Sequence, residues 1–255
     1  MPIDYDPEIY WDKVAEYINM RSNVKTIAGD DEPYYRYKRA LFLKWLDKID
    51  FSNKSVLEVG SGPGGNLKYL SDKNCREIAG VDISSKMIEI SKRLLKETNI
   101  SLYKIDGAEL PFGNNKFDII FTSTVLQHNT KEAQVKALIK NICRVAKNEI
   151  IIFERIEKKI KGHQSNIGRP VEYYSSLFEE NDFTLIETKF LKIQASYYIC
   201  GIIRKLFNRK ERKEGETISR ISYFFETITL PITKLLDKII PSKRDLGMLR
   251  FKRHI

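Results

Sequence analysis

Cysteine is scarce in this 255-residue chain. Cys75, Cys143 and Cys200 are odd in number, widely spaced and form no CxxC pair. That pattern excludes a disulfide framework and a cysteine zinc site, and it points to a reducing, cytoplasmic setting. Histidine is equally sparse: His128, His163 and His254 cluster with nothing that would hold a metal, so no metal is expected. Long apolar runs are missing too. Stretches such as "YYICGII" (197–203) are far too short to cross a bilayer. The opening "MPIDYDPEIYWDK" is acidic and has no apolar leader, so no signal segment is expected.

What remains is ordinary for a globular protein: 42% apolar and 31% charged residues, with a formal net charge of +10. A chain of this length buries a large core without disulfides or metals. The charge favours anionic partners, whether nucleic acid, phosphorylated metabolites or a membrane surface. The abundance of Lys, Ile and Asn is explained as well by biased composition.

Periodicity divides the chain. Residues 1–50 read as a helical cap, with Asp6 as N-cap and Pro7 in the first turn of one helix and Pro33 opening another. Short apolar runs then alternate with amphipathic segments. "SVLEV", "EIAGVD", "ISLYKID", "KFDIIFTS", "NEIIIFERI" and "FTLIETKFLKI" read as strands. The segments between the first five strands are helical or loops, and "VEYYSSLFEEN" is a helix; Ser84 or Ser85 caps "SSKMIEISKRLLKE". This alternation predicts an α/β, Rossmann-like sheet of seven mostly parallel strands. Residues 51–193 form that core, 194–242 a helical insertion, and 243–255 the final strand, around "LGMLRFKRH". Ligands of such sheets bind beyond the carboxyl ends of the strands.

"VGSGPGGNL" follows the first strand. Gly60, Gly62 and Gly65 fit the dinucleotide pattern G-x-G-x-x-G, and equally an S-adenosylmethionine loop. The neighbours choose. Glu58 sits just before the loop, where it would repel pyrophosphate but suit a cofactor carrying a sulfonium and an ammonium. Asp82 ends the second strand and suits ribose hydroxyls in either case. Asp106 ends the third and can accept from an adenine amino group.

"VLEVGSGPGGNL", "VDISSKMIEISKR", "IDGAELPFGNNKFDIIFTSTVLQH" and "GMLRF", in this order, resemble the class I S-adenosylmethionine-dependent methyltransferases, small-molecule branch. The likeness covers about residues 54–130 and weakens toward 190. "AGDDEPYYRYKR" (28–39) further resembles methyltransferases of bacterial glycan-biosynthesis clusters. The resemblance implies that Glu58, Gly60, Ser61, Gly62 and Gly65 shape the cofactor loop. Asp82 would bind ribose; Ile83 and Met87 would lie against adenine; Asp106, Gly107 and Ala108 would contact its edge. Ser123 would border the methionyl portion, and Tyr35 and Arg39 would close over the cofactor.

An alcohol acceptor must lose a proton as it attacks, so a base is sought. His128, in "TVLQHNT", is the first candidate for base or orienting group; His163, expected in the loop "KKIKGHQSNIGRP" (158–170) after the fifth strand, and Glu154 are the others. Arg169, Tyr173 and Tyr174, in "GRPVEYY", suit sugar or nucleotide binding. The expected function is O-methylation of a nucleotide- or phosphate-linked sugar in surface-polysaccharide synthesis, with the insertion as acceptor lid. N-methylation of an aminosugar, a lipid or quinone acceptor with peripheral membrane contact, and RNA remain as alternatives. Against RNA, "TSTV" stands after the fourth strand where an N-P-P-Y type tetrapeptide would be sought.

Overall fold

A short buried strand, β1 (Ser55–Val59), leads into the glycine loop. It is followed by β2 (Glu77–Asp82), β3 (Ser101–Lys104), β4 (Phe117–Ser123), β5 (Ala146–Ile156), β6 (Lys161–His163), β7 (Asn166–Gly168), β8 (Phe183–Phe190) and β9 (Asp245–Arg253). This computed structural model describes residues 5–21, 32–163, 165–242 and 245–254. Residues 1–4 and 22–31 of the expected cap, residue 164, and residues 243, 244 and 255 of the expected final-strand segment lie outside them. Helices are α1 (Pro7–Asn19), α2 (Pro33–Leu46), α3 (Gly65–Leu70), α4 (Ser85–Leu94), α5 (Glu132–Val145), α6 (Val171–Glu179), α7 (Gln194–Phe207) and α8 (Arg220–Ile239).

The large sheet has the order β3-β2-β1-β4-β5-β9-β8. Pairings among β1 to β5 are parallel, and β9 runs antiparallel to both β5 and β8. Parallel strands covered by helices on both faces are buried along nearly their whole length, and β1 and β4 are so, with mostly apolar sequences. Val59, Ile120, Ile152, Phe178 and Phe251 belong to the central buried cluster. The strand order reverses between β1 and β4, so the carboxyl ends of these two strands open a crevice.

Capping follows the sequence. Asp6 Oδ1 accepts the Ile9 N–H at 3.0 Å, and Ser84 Oγ accepts that of Met87 at 3.0 Å. Two expectations need correcting. β3 stops at Lys104, so Asp106 lies beyond the strand rather than on its end. The supposed loop around His163 carries the β6–β7 hairpin. Gly162 permits that pairing, since a Cβ there would lie 2.1 Å from the Asn166 carbonyl oxygen.

The chain forms two compact units. One comprises residues 1–12, 51–190 and 244–255 and contains the sheet; the other comprises residues 13–50 and 191–243. Most of the N-terminal cap and the helical insertion, separate in the sequence reading, thus make one body. In it α7 and α8 pack on each other and on α2.

Candidate active site

The loop after β1 is shaped by three left-handed glycines: Gly60 at φ +73°, Gly62 at +51° and Gly64 at +86°. Gly65, singled out by its spacing, opens α3 and is buried, while the left-handed turn falls one residue earlier. A Cβ on Gly60 would lie 2.2 Å from Val125 Cγ2, which fixes the loop beneath the turn after β4. Among the described residues nothing beyond the chain neighbours lies within 4 Å of where a Cβ on Gly62 would sit, and the same holds at Gly107, which has φ +71°. Ser61 is buried, and among the described residues its hydroxyl has no hydrogen-bond partner.

Asp82 ties this loop to the next helix. One carboxylate oxygen accepts the Gly62 N–H at 2.8 Å, and the other accepts the Ser84 N–H at 2.8 Å. Each oxygen keeps a second acceptor site. Burial pushes the Asp82 carboxyl up to about 6; the two backbone N–H groups hold it down, and nearby Asp12 adds to the rise. Asp12 itself accepts the Ser84 hydroxyl at 2.5 Å at the start of α4. Nothing local in the sequence joins Asp12 to a residue 72 positions away. Glu58 is buried beneath α3, where Asn66 Nδ2 donates to its Oε1 at 2.7 Å. A carboxylate therefore occupies the start of α3, the place a bound pyrophosphate would need. Asn66 was not singled out from the sequence, although an Asn in the first turn of a helix can reach the strand end beside it.

The remaining cofactor candidates of this unit follow. Met87 is buried on α4 and Ile83 half-buried just before it. Asp106 is exposed and paired with Lys104. Ala108 packs against the central core, and half-buried Ser123 ends β4. Tyr35 and Arg39 belong to the other unit, on α2, where the Arg204 guanidinium lies 4.5 Å from the Tyr35 ring centre.

Beyond β4 the chain turns through Thr124, at φ +59°, into a single 3₁₀ turn, Leu126–His128. Glu154 organises it. Its fully buried carboxylate accepts the Thr122 hydroxyl at 2.8 Å and the N–H groups of Val125 and Gln127, each at 3.0 Å. Burial raises its pKa, against those hydrogen bonds. Through these contacts Glu154 holds the turn after β4. Arg169, expected at the acceptor rim, is 2% exposed and donates to the carbonyls of Leu126 and Asn129 at 2.9 and 2.7 Å. Tyr174, expected beside it, is wholly buried. Half-buried Tyr173 donates to Glu132 at 2.8 Å, and His163 is exposed on β6.

His128 is held through a chain of hydrogen bonds that sets its tautomer. Arg155 N–H donates to Gln127 Oε1 at 2.9 Å, so the Gln127 amide nitrogen faces His128 Nε2 at 3.3 Å. His128 Nδ1 lies 2.7 Å from the Ser165 carbonyl oxygen, which only accepts. The proton therefore sits on Nδ1, and Nε2 carries the lone pair. Trp11 meets the imidazole edge-on at 4.9 Å. Neither Trp11 nor Gln127 was singled out from sequence.

A family model described as "Methyltransferase domain" matches residues 56–149, which span the glycine loop, Asp82 and the turn bearing His128. The ribosomal protein L11 methyltransferase of Fusobacterium nucleatum is 31% identical over 122 residues, covering 46% of this chain and 37% of that one. The chain thus spans little more than a third of that relative's length. Among solved structures, the [4+2]-cyclase SpnF superposes with a TM-score of 0.61 at 14% identity, over 85% of this chain and 81% of that one. Magnesium protoporphyrin IX methyltransferase from Synechocystis, crystallised with bound SAH, gives 0.53 at 15% identity, over 87% and 83%. The structural similarities show the fold, and residues 56–149 match the methyltransferase domain model.

Proposed function

We propose that this chain is an S-adenosylmethionine-dependent methyltransferase that O-methylates a sugar carried on a nucleotide or phosphate, in surface-glycan synthesis. The observation that carries the first half is Glu58, bonded to Asn66 at the start of α3. A carboxylate there opposes pyrophosphate and favours a donor bearing positive charge. The open space above Gly62 and Gly107 and the unpartnered Ser61 hydroxyl fit an adenosyl ligand. The relative solved with bound SAH supports the same choice.

Bound S-adenosylmethionine supplies a methyl group activated on a sulfonium. The chain supplies binding and position. Glu58 and Asp82 supply negative charge for the donor, with Asp82 placed for ribose hydroxyls; Ile83 and Met87 give an apolar surface for adenine, and Asp106, Gly107 and Ala108 line its edge. His128 Nε2 takes the acceptor hydroxyl proton as oxygen attacks, and Glu154 and Gln127 hold that imidazole in place. Tyr173 and His163 supply the acceptor rim. The phosphate-linked acceptor is supported by the net charge of +10 and by the resemblance of residues 28–39 to glycan-cluster enzymes.

One observation favours a second reading. Both ring nitrogens of His128 are already engaged, and the residue is 6% exposed. A neutral amine needs no base before attack, so N-methylation of an aminosugar is the alternative.

Titration calorimetry with S-adenosylhomocysteine and NAD tests the cofactor: heat from the first and none from the second is expected, and the reverse ends the reading. Transfer of labelled methyl to a panel of nucleotide-linked sugars and aminosugars then tests the acceptor. Labelling of none of them removes the sugar proposal while leaving the cofactor intact.

A further inference from the structure

The second unit contains a helix pair whose polarity is inverted. On α8, Ile221, Phe224, Ile228, Ile232, Leu235 and Ile239 are all at least half exposed. At 3.6 residues per turn these positions fall within about 80° of arc, one continuous stripe. The opposite face is buried and mostly polar: Ser222, Glu226, Thr233 and Asp237, with Leu230 among them. On α7, Tyr198, Ile202 and Leu206 are likewise exposed at 56%, 58% and 68%.

The polar groups turn inward and satisfy each other. Ser196 Oγ donates to Asp237 at 2.5 Å and lies within hydrogen-bond distance of Thr233 Oγ1, at 2.8 Å. Arg204 Nε donates to Glu226 at 2.5 Å, and the Tyr34 N–H donates to Glu226 at 3.1 Å. An ordinary surface helix places these two faces the other way round. The exposed charge is one-sided as well. Glu226 and Asp237, the acids of these two helices, are both buried. Lys205, Arg220, Lys234 and Lys238 are exposed beside the apolar residues.

We propose that α7 and α8 form a docking face for an anionic lipid surface, lying in its headgroup region. Neither helix is long and apolar enough to cross a membrane. An apolar stripe bordered by cations has the pattern of a helix that lies in the interface plane. Exposed Tyr197, Tyr198 and Tyr223 suit the boundary between headgroups and acyl chains. A second copy of the chain is a poorer occupant, because it would bring cations against cations.

The experiment is flotation of the whole chain with phosphatidylcholine vesicles, with and without phosphatidylglycerol, at low and high salt. Binding is expected only to the anionic vesicles and is expected to weaken with salt. The pair of substitutions Ile228→Glu and Ile232→Glu should lower binding by about tenfold or more. Lys234→Glu with Lys238→Glu, which leaves the stripe intact, should lose binding in low salt. Circular dichroism and calorimetry with S-adenosylhomocysteine check that each variant is folded, so loss of lipid binding and loss of the cofactor reading are separate results. Absence of vesicle binding by the natural chain overturns the proposal. So does unchanged binding by the stripe variant, or a natural dimer that this variant converts to monomer without any lipid binding.

Discussion

Glu154 Oε2 accepts the backbone N–H of Gln127 at 3.0 Å, and through that bond β5 holds the turn that follows β4. The same carboxylate takes the N–H of Val125, so two backbone donors of one tight turn end on one side chain. A hydrophobic residue at this position would leave both unsatisfied in the interior.

Glu154→Ala should therefore cost about 2–5 kcal/mol in urea unfolding, since each buried N–H left unpaired costs about 1–3 kcal/mol. Glu154→Gln, which keeps an acceptor oxygen, should cost clearly less. Equal losses in the two variants would show that packing, rather than hydrogen bonding, sets the energy.

Gly60 and Gly62 should separate stability from ligand binding. Gly60→Ala meets Val125 in a left-handed backbone and should destabilise by about 1–3 kcal/mol, with displacement of the loop. Gly62→Ala meets open space and should cost only about 1 kcal/mol from backbone strain. It should nevertheless lose most affinity for S-adenosylhomocysteine in calorimetry, because its methyl group enters the ligand space. Retained affinity would place the cofactor elsewhere.

Asp82 makes a pH prediction with a definite sign. Its folded-state value, about 6, lies above its ordinary value of 3.8. The folded chain then holds a proton that the unfolded chain releases, so this group's contribution to stability falls as pH rises from about 4 to about 6 and is constant above. Relative to Asp82→Asn, the natural chain should gain stability on acidification through that window. Affinity for S-adenosylhomocysteine should move oppositely and weaken below pH 6, as the carboxylate loses acceptor capacity. Parallel pH series of thermal melts and calorimetry check both signs.

His128→Ala should distinguish the two acceptor readings. With a hydroxyl acceptor, loss of a base lowers turnover by about 10²–10⁴-fold. With an amine acceptor the loss should be small and confined to KM. Single-turnover assays on the preferred acceptor give the answer.

The strands were readable because both their burial and their punctuation are local. "SVLEV" ends at Gly60, and "KFDIIFTS" centres on the apolar run Ile119–Phe121 with Ser123 at its end. The glycine loop and Asp82 were legible for the same reason: one short segment supplies the turn and the next supplies the acid that pins it. Asp12, Trp11 and Gln127 were not, since each acts on a partner that only folding brings near. Arg169 looked like a ligand-binding cation, but it spends its donors on the Leu126 and Asn129 carbonyls. Its sequence neighbours carry no sign of that. The β6–β7 hairpin escaped because its strands are short and polar, and its signal is the bare Gly162. The joining of residues 13–50 to 191–243 rests on pairs such as Tyr34 with Glu226, far apart in sequence and invisible to any periodicity.

β9 pairs with β5 on one side and β8 on the other, although it is the last of the three to be synthesised. While the ribosome is still making α7 and α8, β5 presents an open, apolar edge and β8 has nothing to pair with. A nascent chain at that stage can fold its glycine loop and first five strands, yet it exposes a strand edge suited to joining its neighbours on a polysome. Residues 245–253 close that edge, so translation arrested just before them should yield aggregates rather than a slightly shortened enzyme.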